Sequence, residues 1–184
     1  MARLAASRGL RARFVERMES PLLETALESR GWLAVLPPDR LVRVTERPER
    51  SRLVLDGDRL WLETPEGRHD LSGERTSRLF VGELLRLLRG DLEGLRQRYA
   101  LAFEAETPTG TGKAEWRLRL VPRSAEVRRR LEEITVIGDR HGLRELRMRA
   151  PDGGRQVTRL EAREEDRVFS DAEQRALFTR GSNP

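Results

Sequence analysis

The sequence predicts an α+β fold, a large curved antiparallel sheet whose apolar face is covered by helices. Three observations lead to this prediction. Short segments of alternating apolar and polar residues fill positions 31–67, an amphipathic helical segment lies at 78–89, and alternating segments resume at residue 99. Consecutive strands of this kind pair as an antiparallel sheet, and the half-buried face of such a sheet needs a covering layer.

The stretch from residue 31 to residue 67 predicts four consecutive strands that pair as a meander. Leu33 and Val35 alternate with other side chains, and the two prolines at 37–38 end that strand. The triplet at 56–58, Asp-Gly-Asp, lies between two apolar runs. Aspartate followed by glycine in that setting is a strong signal for a tight hairpin.

Residues 78–89 predict the main helix, with Thr76 or Ser77 as its N-cap. Its apolar side chains form one wide stripe, made of Leu79, Phe80, Leu84, Leu85, Leu87 and Leu88. A shorter helix, residues 92–98, follows Asp91 as its cap. We expect these two helices to form a lid over the sheet, because no other helical segment is strongly apolar.

The rest of the chain predicts further strands and a single domain over residues 1–184. Residues 2–11 are weakly helical, 11–18 fit either a strand or more of that helix, and 69–73 are predicted to be a connector. Alternation predicts later strands at 99–106, 115–121, 134–137, 143–148 and 155–163, with a loop at 107–112. The total is about ten strands, and no repeat or linker divides the chain.

Two short helices are predicted in the second half of the chain. Ser124 caps a helix through Glu133. In that helix Glu126–Arg130, Arg128–Glu132 and Arg129–Glu133 are i,i+4 pairs, so the triple arginine at 128–130 indicates a paired helix surface. Ser170 and Glu173 form a capping box that opens the last helix. The final four residues, GSNP, are predicted to be loose.

The charge of the chain is almost entirely arginine on the basic side. There are 36 basic and 31 acidic residues, a net charge of +5, and Lys113 is the only lysine. This composition fits an anionic partner, such as a lipid headgroup, a membrane surface or nucleic acid, but it also fits a solvated surface of interleaved charges, which we prefer. The lack of cysteine excludes disulfides. No apolar run approaches the length of a membrane span.

The sequence shows no catalytic or metal-binding signature, so we expect neither an enzyme nor a cofactor. His69 and His141 are the two histidines, and they lie in a connector and a turn. The segment TPTGTGK at 107–113 lacks the spacing of a phosphate loop and stands between strands. The carboxylates of Asp56 and Asp58 flank a hairpin glycine and are interpreted as turn formers.

An ordered set of motifs resembles the LolA-type outer-membrane lipoprotein carriers, in the divergent LolA-like branch. The set comprises FVERMESPLLETALESRGWLAVLPPDRL (14–41), RPERSRLVLDGDRLWLETPEG (47–67), GDLEGL (90–95), WRLRLVP (116–122), ITVIGDRHGLRELRM (134–148) and FSDAEQRALF (169–178). The ordered set is more specific than any single member, including the Asp-Gly hairpin followed by Leu60-Trp61. The resemblance covers nearly the whole chain.

This resemblance implies an incomplete β-barrel (LolA/LolB-like) with a concave apolar face that is closed by helices. Acyl chains of a lipoprotein, phospholipid or glycolipid would lie between sheet and lid. The implied partners are an inner-membrane exporter and an outer-membrane acceptor, the implied location is the periplasm, and we expect a monomer. Residues 1–14 lack the apolar core of an export signal. That leaves a cytosolic protein or an exported one whose signal is absent from this sequence, and the resemblance favours the second.

The sequence departs from the family at the first corner of the meander. The family's arginine before the proline, which the resemblance links to cargo release, falls on Pro37, and the apolar residue at the cavity mouth falls on Leu41. Arg40 or Arg43 could supply a nearby charge. The departure makes another acylated cargo plausible.

The expected lipid-binding residues come from both layers, with both faces of the strands counted because their parity is open. They are Leu33, Val35, Leu41, Val44, Leu53, Leu55, Leu60, Leu62, Leu79, Phe80, Leu84, Leu87 and Leu88. The alternative for each is ordinary core packing. Two other functions remain open: a periplasmic sensor of the same fold that binds a regulatory protein, and a nucleic-acid binder. We expect no nucleic acid, because aromatic residues are 5% of the chain and lie mostly in apolar alternation.

Overall fold

The structure is a computed structural model that describes residues 8–89, 91–105, 115–140 and 142–179. It describes the side chains of these residues except those at 75–80 and 89. The predicted loop at 107–112, His141, the GSNP tail and most of the predicted helix at 2–11 lie outside the described residues.

The described residues form eleven strands and four helices. The first strands are β1 (Leu10–Glu19), β2 (Leu27–Leu36), β3 (Arg40–Arg47), β4 (Ser51–Asp56), β5 (Arg59–Thr64) and β6 (Gly67–Asp70). The helices α1 (Arg75–Arg89) and α2 (Leu92–Arg98) follow. The rest is β7 (Tyr99–Ala105), β8 (Glu115–Pro122), α3 (Ala125–Arg128), β9 (Glu133–Asp139), β10 (Gly142–Arg149), β11 (Arg155–Glu165) and α4 (Asp171–Phe178).

The strands described form one antiparallel sheet that is open at both edges. The order across it is β6-β5-β4-β3-β2-β1-β11-β10-β9-β8-β7, so β6 and β7 are the edge strands. β1 lies at the centre and pairs with β2 on one side and with β11 on the other, so the first and last of the described strands are neighbours. The predicted α+β architecture, a large antiparallel sheet with a helical cover, is confirmed.

Each face of the sheet carries its own apolar cluster. The inner face, defined by buried residues such as Phe14, Leu33 and Leu120, packs against Val81, Leu85 and Leu88 of α1 and Leu95 of α2. The outer face carries a smaller cluster, which comprises Ala34, Leu36, Val42, Val44, Val54, Trp61, Phe169 and Phe178. Because successive side chains of a strand point to opposite faces, each strand of the meander contributes to both clusters.

The structure corrects the predicted boundaries at three places. Residues 67–70 pair with β5 as the edge strand β6, although they are exposed and carry no apolar signal for a strand. The main helix begins at Arg75, three residues before the predicted start. Residues 11–18 are a strand and not a continued helix, because Phe14 is buried where β1 pairs with both neighbours.

The predicted helix from Ser124 to Glu133 is also wrong in length. α3 ends at Arg128, so the expected pairs of Arg128 with Glu132 and of Arg129 with Glu133 lack the helix they need. Arg128 instead donates to the backbone carbonyls of Pro122 and Arg123. The two glutamates form ion pairs with arginines of neighbouring strands, Glu132 with Arg149 of β10 and Glu133 with Arg119 of β8.

Candidate functional site

A cavity of about 540 Å³ lies between the inner face of the sheet and the helices α1 and α3. This volume is within the range of small-molecule binding sites. Its walls are largely apolar. The sheet contributes Leu33, Leu53, Ile134, Leu143, Leu146, Met148 and Leu160, and the helical layer contributes Val81, Leu84, Leu87, Leu88 and Val127, with Leu131 after α3.

Five of the thirteen expected lipid-binding residues line this cavity. They are Leu33, Leu53, Leu84, Leu87 and Leu88. Val35, Leu41, Leu55 and Leu60 are buried in the inner-face cluster but do not line the cavity. Leu62 is half-buried on β5, two residues after Leu60. The side chains of Leu79 and Phe80 lie outside the described part of the chain.

Val44 lies on the opposite side of the sheet from the cavity. Leu41 and Arg43 point to the inner face, so Val42 and Val44, which alternate with them in β3, belong to the outer-face cluster. Val44 therefore cannot be part of the cavity wall. The sequence could not settle this parity, because apolar residues occupy both faces of β3.

Sequence reasoning missed a network of polar side chains on the inner face. The Glu16 carboxylate accepts hydrogen bonds from Arg43 Nη2 at 2.8 Å, Gln156 Nε2 at 2.8 Å and Thr158 Oγ1 at 2.7 Å. All four side chains line the cavity. The network joins β1, β3 and β11, so no local sequence pattern signals it.

Gly31 allows the backbones of β2 and β3 to approach closely beside this network. It pairs directly with Phe14 across β1 and β2. A Cβ on Gly31 would lie 1.9 Å from the carbonyl oxygen of Val44 and 3.0 Å from the Phe14 ring. The Arg43 guanidinium lies 4.3 Å from the centre of the Phe14 ring and reaches Glu16 on β1.

A second polar group, Glu83 on α1, lines the helical side of the cavity. Its side chain is buried, and Oε1 accepts a hydrogen bond of 3.0 Å from Arg98 Nη1. Burial raises the pKa of Glu83, and the nearby charges of Arg98 and Arg86 oppose that rise. Glu83 lies four residues before Leu87, so it falls within the apolar stripe of α1. A charged residue in an apolar stripe was the signal for this site that sequence reasoning missed.

Tyr99 lies beside Glu83 and lines the same cavity. Burial raises the pKa of Tyr99 to about 12, and the negative charge of Glu83 adds to the rise. The phenol is therefore a neutral hydrogen-bond donor at any physiological pH. Polar residues around α3, namely Glu126, Arg129 and Arg130, complete the lining.

Among residues 8–89, 91–105, 115–140 and 142–179, no cluster of three or more acidic or histidine side chains is placed to hold a metal ion. His69 lies on the exposed edge strand β6. Within the same ranges, no helix has the length and apolar character needed to cross a membrane.

An open antiparallel sheet with a helix-covered apolar cavity defines a class of binding and carrier proteins. A family model described as outer membrane lipoprotein carrier protein LolA-like matches residues 1–179. The chain therefore belongs to the LolA-like family, and the resemblance seen in the sequence is confirmed. No curated protein matches the chain.

Solved structures share this fold at low sequence identity. A DUF1329 family protein from Desulfovibrio piger is 14% identical, with 95% of this chain and 96% of that chain covered and a TM-score of 0.50. MucB is 15% identical over 93% of this chain and 59% of its own, with a TM-score of 0.53. The MucA/MucB complex of Pseudomonas aeruginosa gives 16% identity, coverage of 93% and 57%, and a TM-score of 0.52. At these identities the likeness concerns the fold alone.

Proposed function

We propose that residues 1–184 form a single carrier domain that shields the acyl chains of a lipid or lipoprotein from water. The observation that carries this proposal is the cavity itself, whose walls are apolar on both the sheet and the helical layer. Membership of a lipoprotein carrier family supports it. The role is binding and release, not catalysis.

The proposed driving force is hydrophobic burial of the acyl chain. Each buried methylene contributes roughly 0.8 kcal/mol, so one long chain gives useful affinity. Leu33, Leu53, Leu84, Leu87 and Leu88 form the proposed apolar wall. Release then requires a partner or a movement of α1 that offsets this burial.

The family supports a proposed location in the periplasm and a proposed monomeric shuttle between an inner-membrane exporter and an outer-membrane acceptor. The family arginine that the resemblance links to cargo release is replaced by Pro37 in this chain, so the handover would need another positive charge. Arg40 is bound on the outer side, where it pairs with Asp56 and lies 4.1 Å from the centre of the Phe178 ring. Arg43 lines the cavity, so it is the better candidate for a compensating charge.

Replacement of one cavity leucine tests the carrier proposal. Leu84→Glu places a charge in the half-buried wall of the cavity, and we expect it to abolish lipid binding while the sheet still forms. Leu177→Glu is the matched control, because Leu177 is a half-buried helical leucine that packs against the outer-face cluster. Leu41 is unsuitable, because it is fully buried and lies away from the cavity.

Native mass spectrometry of gently purified protein provides the measurement. Wild type and Leu177→Glu should carry extra mass that resolves, after denaturation and extraction, into an acylated molecule. Leu84→Glu should be lipid-free, with circular dichroism unchanged. Lipid retained equally by Leu84→Glu would exclude this cavity as the binding site.

A second candidate function is the binding of a regulatory protein. The fold is shared with MucB, which is solved in a complex with MucA. Wild-type protein that remains free of lipid after incubation with lipid micelles would favour this candidate over the carrier.

A further inference from the structure

The polar network on the inner face has hydrogen-bonding capacity that the protein itself does not use. Arg43 donates to Glu16 through Nη2, and Gln156 donates to Glu16 through Nε2. Among the described residues, no hydrogen bond joins a partner to Nε or Nη1 of Arg43 or to Oε1 of Gln156. A guanidinium offers further N–H donors, and an amide oxygen is an acceptor. The network therefore presents unused donors beside an unused acceptor.

These unused atoms are accessible from the cavity. Within the described residues, the side-chain polar atoms that are both buried and unbonded are Glu83 Oε2 and Arg167 Nε. Arg43 and Gln156 are half-buried and contribute no such atom, so their unbonded atoms have surface that a small molecule can reach. Both residues line the cavity, and Gln156 shares the inner face of β11 with Leu160, four residues further along. Their accessible surface therefore opens to the side of the cavity.

A common anchor holds the unused donors and the unused acceptor close together. Arg43 bonds to Oε1 of Glu16, whereas Gln156 and Thr158 bond to Oε2 of the same carboxylate. The Arg43 guanidinium is also held against the Phe14 ring, 4.3 Å from its centre. A fixed donor next to a fixed acceptor suits a chemical group that both accepts and donates hydrogen bonds.

The charge of the network limits which group that is. Arg43 and Glu16 form an ion pair of 2.8 Å whose side chains are 25% and 14% exposed, so the positive charge is offset where it stands. A phosphate or carboxylate that bonded to Arg43 would approach the Glu16 carboxylate, and like charges at close range repel. A hydroxyl group is neutral, and it can accept from Arg43 and donate to Gln156. Apolar walls surround the network, so the hydroxyl belongs to the head of an acyl chain.

We propose that Arg43 and Gln156 recognise the hydroxylated head, a glycerol or a sugar, of a neutral acylated lipid. Arg43 donates to a hydroxyl oxygen of the head, and Gln156 Oε1 accepts from a hydroxyl. This inference rests on the proposed carrier function. It narrows the ligand class to neutral lipids with a hydroxylated head and separates them from free fatty acids and from lipids with an anionic head.

A pair of esters with the same carbon skeleton tests the recognition of the hydroxyls. 1-Dodecanoylglycerol and propyl dodecanoate differ only in the hydroxyls of the head, and displacement of a fluorescent dodecanoyl probe from the full chain gives their affinity ratio. Hydroxyls are costly to desolvate, so the decisive quantity is the change of this ratio between proteins. We expect the ratio of glycerol ester to propyl ester to fall roughly three- to tenfold from wild type to Gln156→Met, as loss of one neutral hydrogen bond predicts.

Two further variants complete the test. Arg43→Met should lower the ratio by about tenfold or more, because hydrogen bonds from charged donors are stronger. Gln174→Met is the matched control, since Gln174 is a half-buried glutamine of α4 that bonds to Arg40 and to the Phe169 carbonyl, away from the cavity. It should leave the ratio as in wild type. Thermal unfolding shows whether each variant folds, and Gln156→Met decides alone if Arg43→Met does not fold.

The outcomes separate the inference from the function beneath it. Binding of both esters with one ratio in wild type and Gln156→Met would overturn the head-group site and leave the carrier proposal intact. Failure of wild type to bind either ester would overturn both. A fall in the ratio that Gln174→Met also shows would assign the effect to altered stability and would overturn the site. A larger loss of affinity for dodecanoate than for the glycerol ester in Arg43→Met would indicate an anion site and would likewise overturn the inference.

Discussion

Two buried glutamates show how the number of arginine partners determines the pKa of a carboxylate. Glu83 and Glu145 are both less than one-tenth exposed. Burial is the largest influence on each and raises the pKa. At Glu83 the opposing charges of Arg98 and Arg86 do not overcome it, so the net pKa is raised. At Glu145 the hydrogen bonds from Arg147 and Arg159 do overcome it, so the net pKa is lowered.

This contrast predicts opposite pH dependences of stability for two variants. A folded-state pKa above the ordinary 4.5 means that the folded chain holds the Glu83 proton more tightly, so the free energy of unfolding falls as pH rises through that pKa. Glu83→Gln has no carboxyl group at this position, so its free energy of unfolding does not fall in this way. We therefore expect Glu83→Gln to gain stability relative to wild type in urea unfolding as pH rises above the ordinary carboxyl pKa of 4.5.

Glu145→Gln should behave in the opposite way. The lowered pKa of Glu145 stabilises the folded chain above the ordinary pKa, and this contribution is lost as pH falls. Its variant should lose stability relative to wild type as pH rises. Among the described side chains, the titratable groups that interact with Glu83 are Arg86, Asp91, Arg98 and Tyr99, and they are unchanged in both variants. A stability difference for Glu83→Gln that does not vary with pH would contradict the raised pKa.

At the scale of elements, α4 covers the outer face of the meander and explains why the sheet is buried on both sides there. Phe178 packs with the outer-face cluster, and Arg52 of β4 donates to the Leu177 carbonyl. The helix begins with a capping box. Ser170 Oγ accepts a hydrogen bond from the Glu173 N–H, and the Ser170 N–H donates a hydrogen bond of 2.8 Å to Glu173 Oε2. That backbone hydrogen bond is the leading reason that the pKa of Glu173 is lowered to about 2.

Loss of this cap should loosen α4. Ser170→Ala removes the side-chain acceptor, and we expect a loss of about 1 kcal/mol in unfolding free energy together with faster amide exchange in residues 171–178. Ser170→Asp should retain most of the stability, because aspartate is an equivalent N-cap. The matched control is Ser124→Ala, since Ser124 caps α3 without a side-chain hydrogen bond. Equal losses in Ser170→Ala and Ser124→Ala would contradict a specific role for the capping box.

Elements with local signals were the ones that the sequence predicted well. The Asp-Gly hairpin forms with Gly57 at φ +59°, and the capping box of Ser170 is present as predicted. Both depend on residues within four positions of each other. β6 was missed because an exposed edge strand pairs through its backbone and needs no apolar side chain. The length of α3 was overestimated because Glu132 and Glu133 form ion pairs with Arg149 and Arg119 of neighbouring strands instead of pairs within a helix.

At the scale of the molecule, the sequence predicted the layers but not which residues meet between them. The lid and the sheet were both expected, and five of the predicted residues line the cavity. Strand parity excluded Val44, and no periodic pattern could have revealed it. The polar network of Glu16 and Arg43 depends on strands that are far apart in sequence, so no local pattern could have signalled it.

The way in which α1 is held predicts where a ligand acts on the whole molecule. Among the described side chains, α1 forms ion pairs through Glu83 with Arg98 and through Arg86 with Asp91, both in or beside α2, whereas apolar contacts hold it to the sheet. β1, in contrast, has backbone pairing on both sides. Local opening should therefore be easiest at α1, and a ligand that fills the cavity should suppress it.

We expect hydrogen exchange at short labelling times to slow in residues 81–88 when the protein binds an acylated lipid in the cavity, with little change in β1 and β11. Short times report local opening, whereas long times report global unfolding, which any ligand of the folded state slows everywhere. Leu84→Glu, given the same ligand concentration, should show no slowing. Uniform slowing across α1, β1 and β11 at short times would mean that the ligand does not act through the lid, because a site between α1 and the sheet must stabilise the more weakly held layer first.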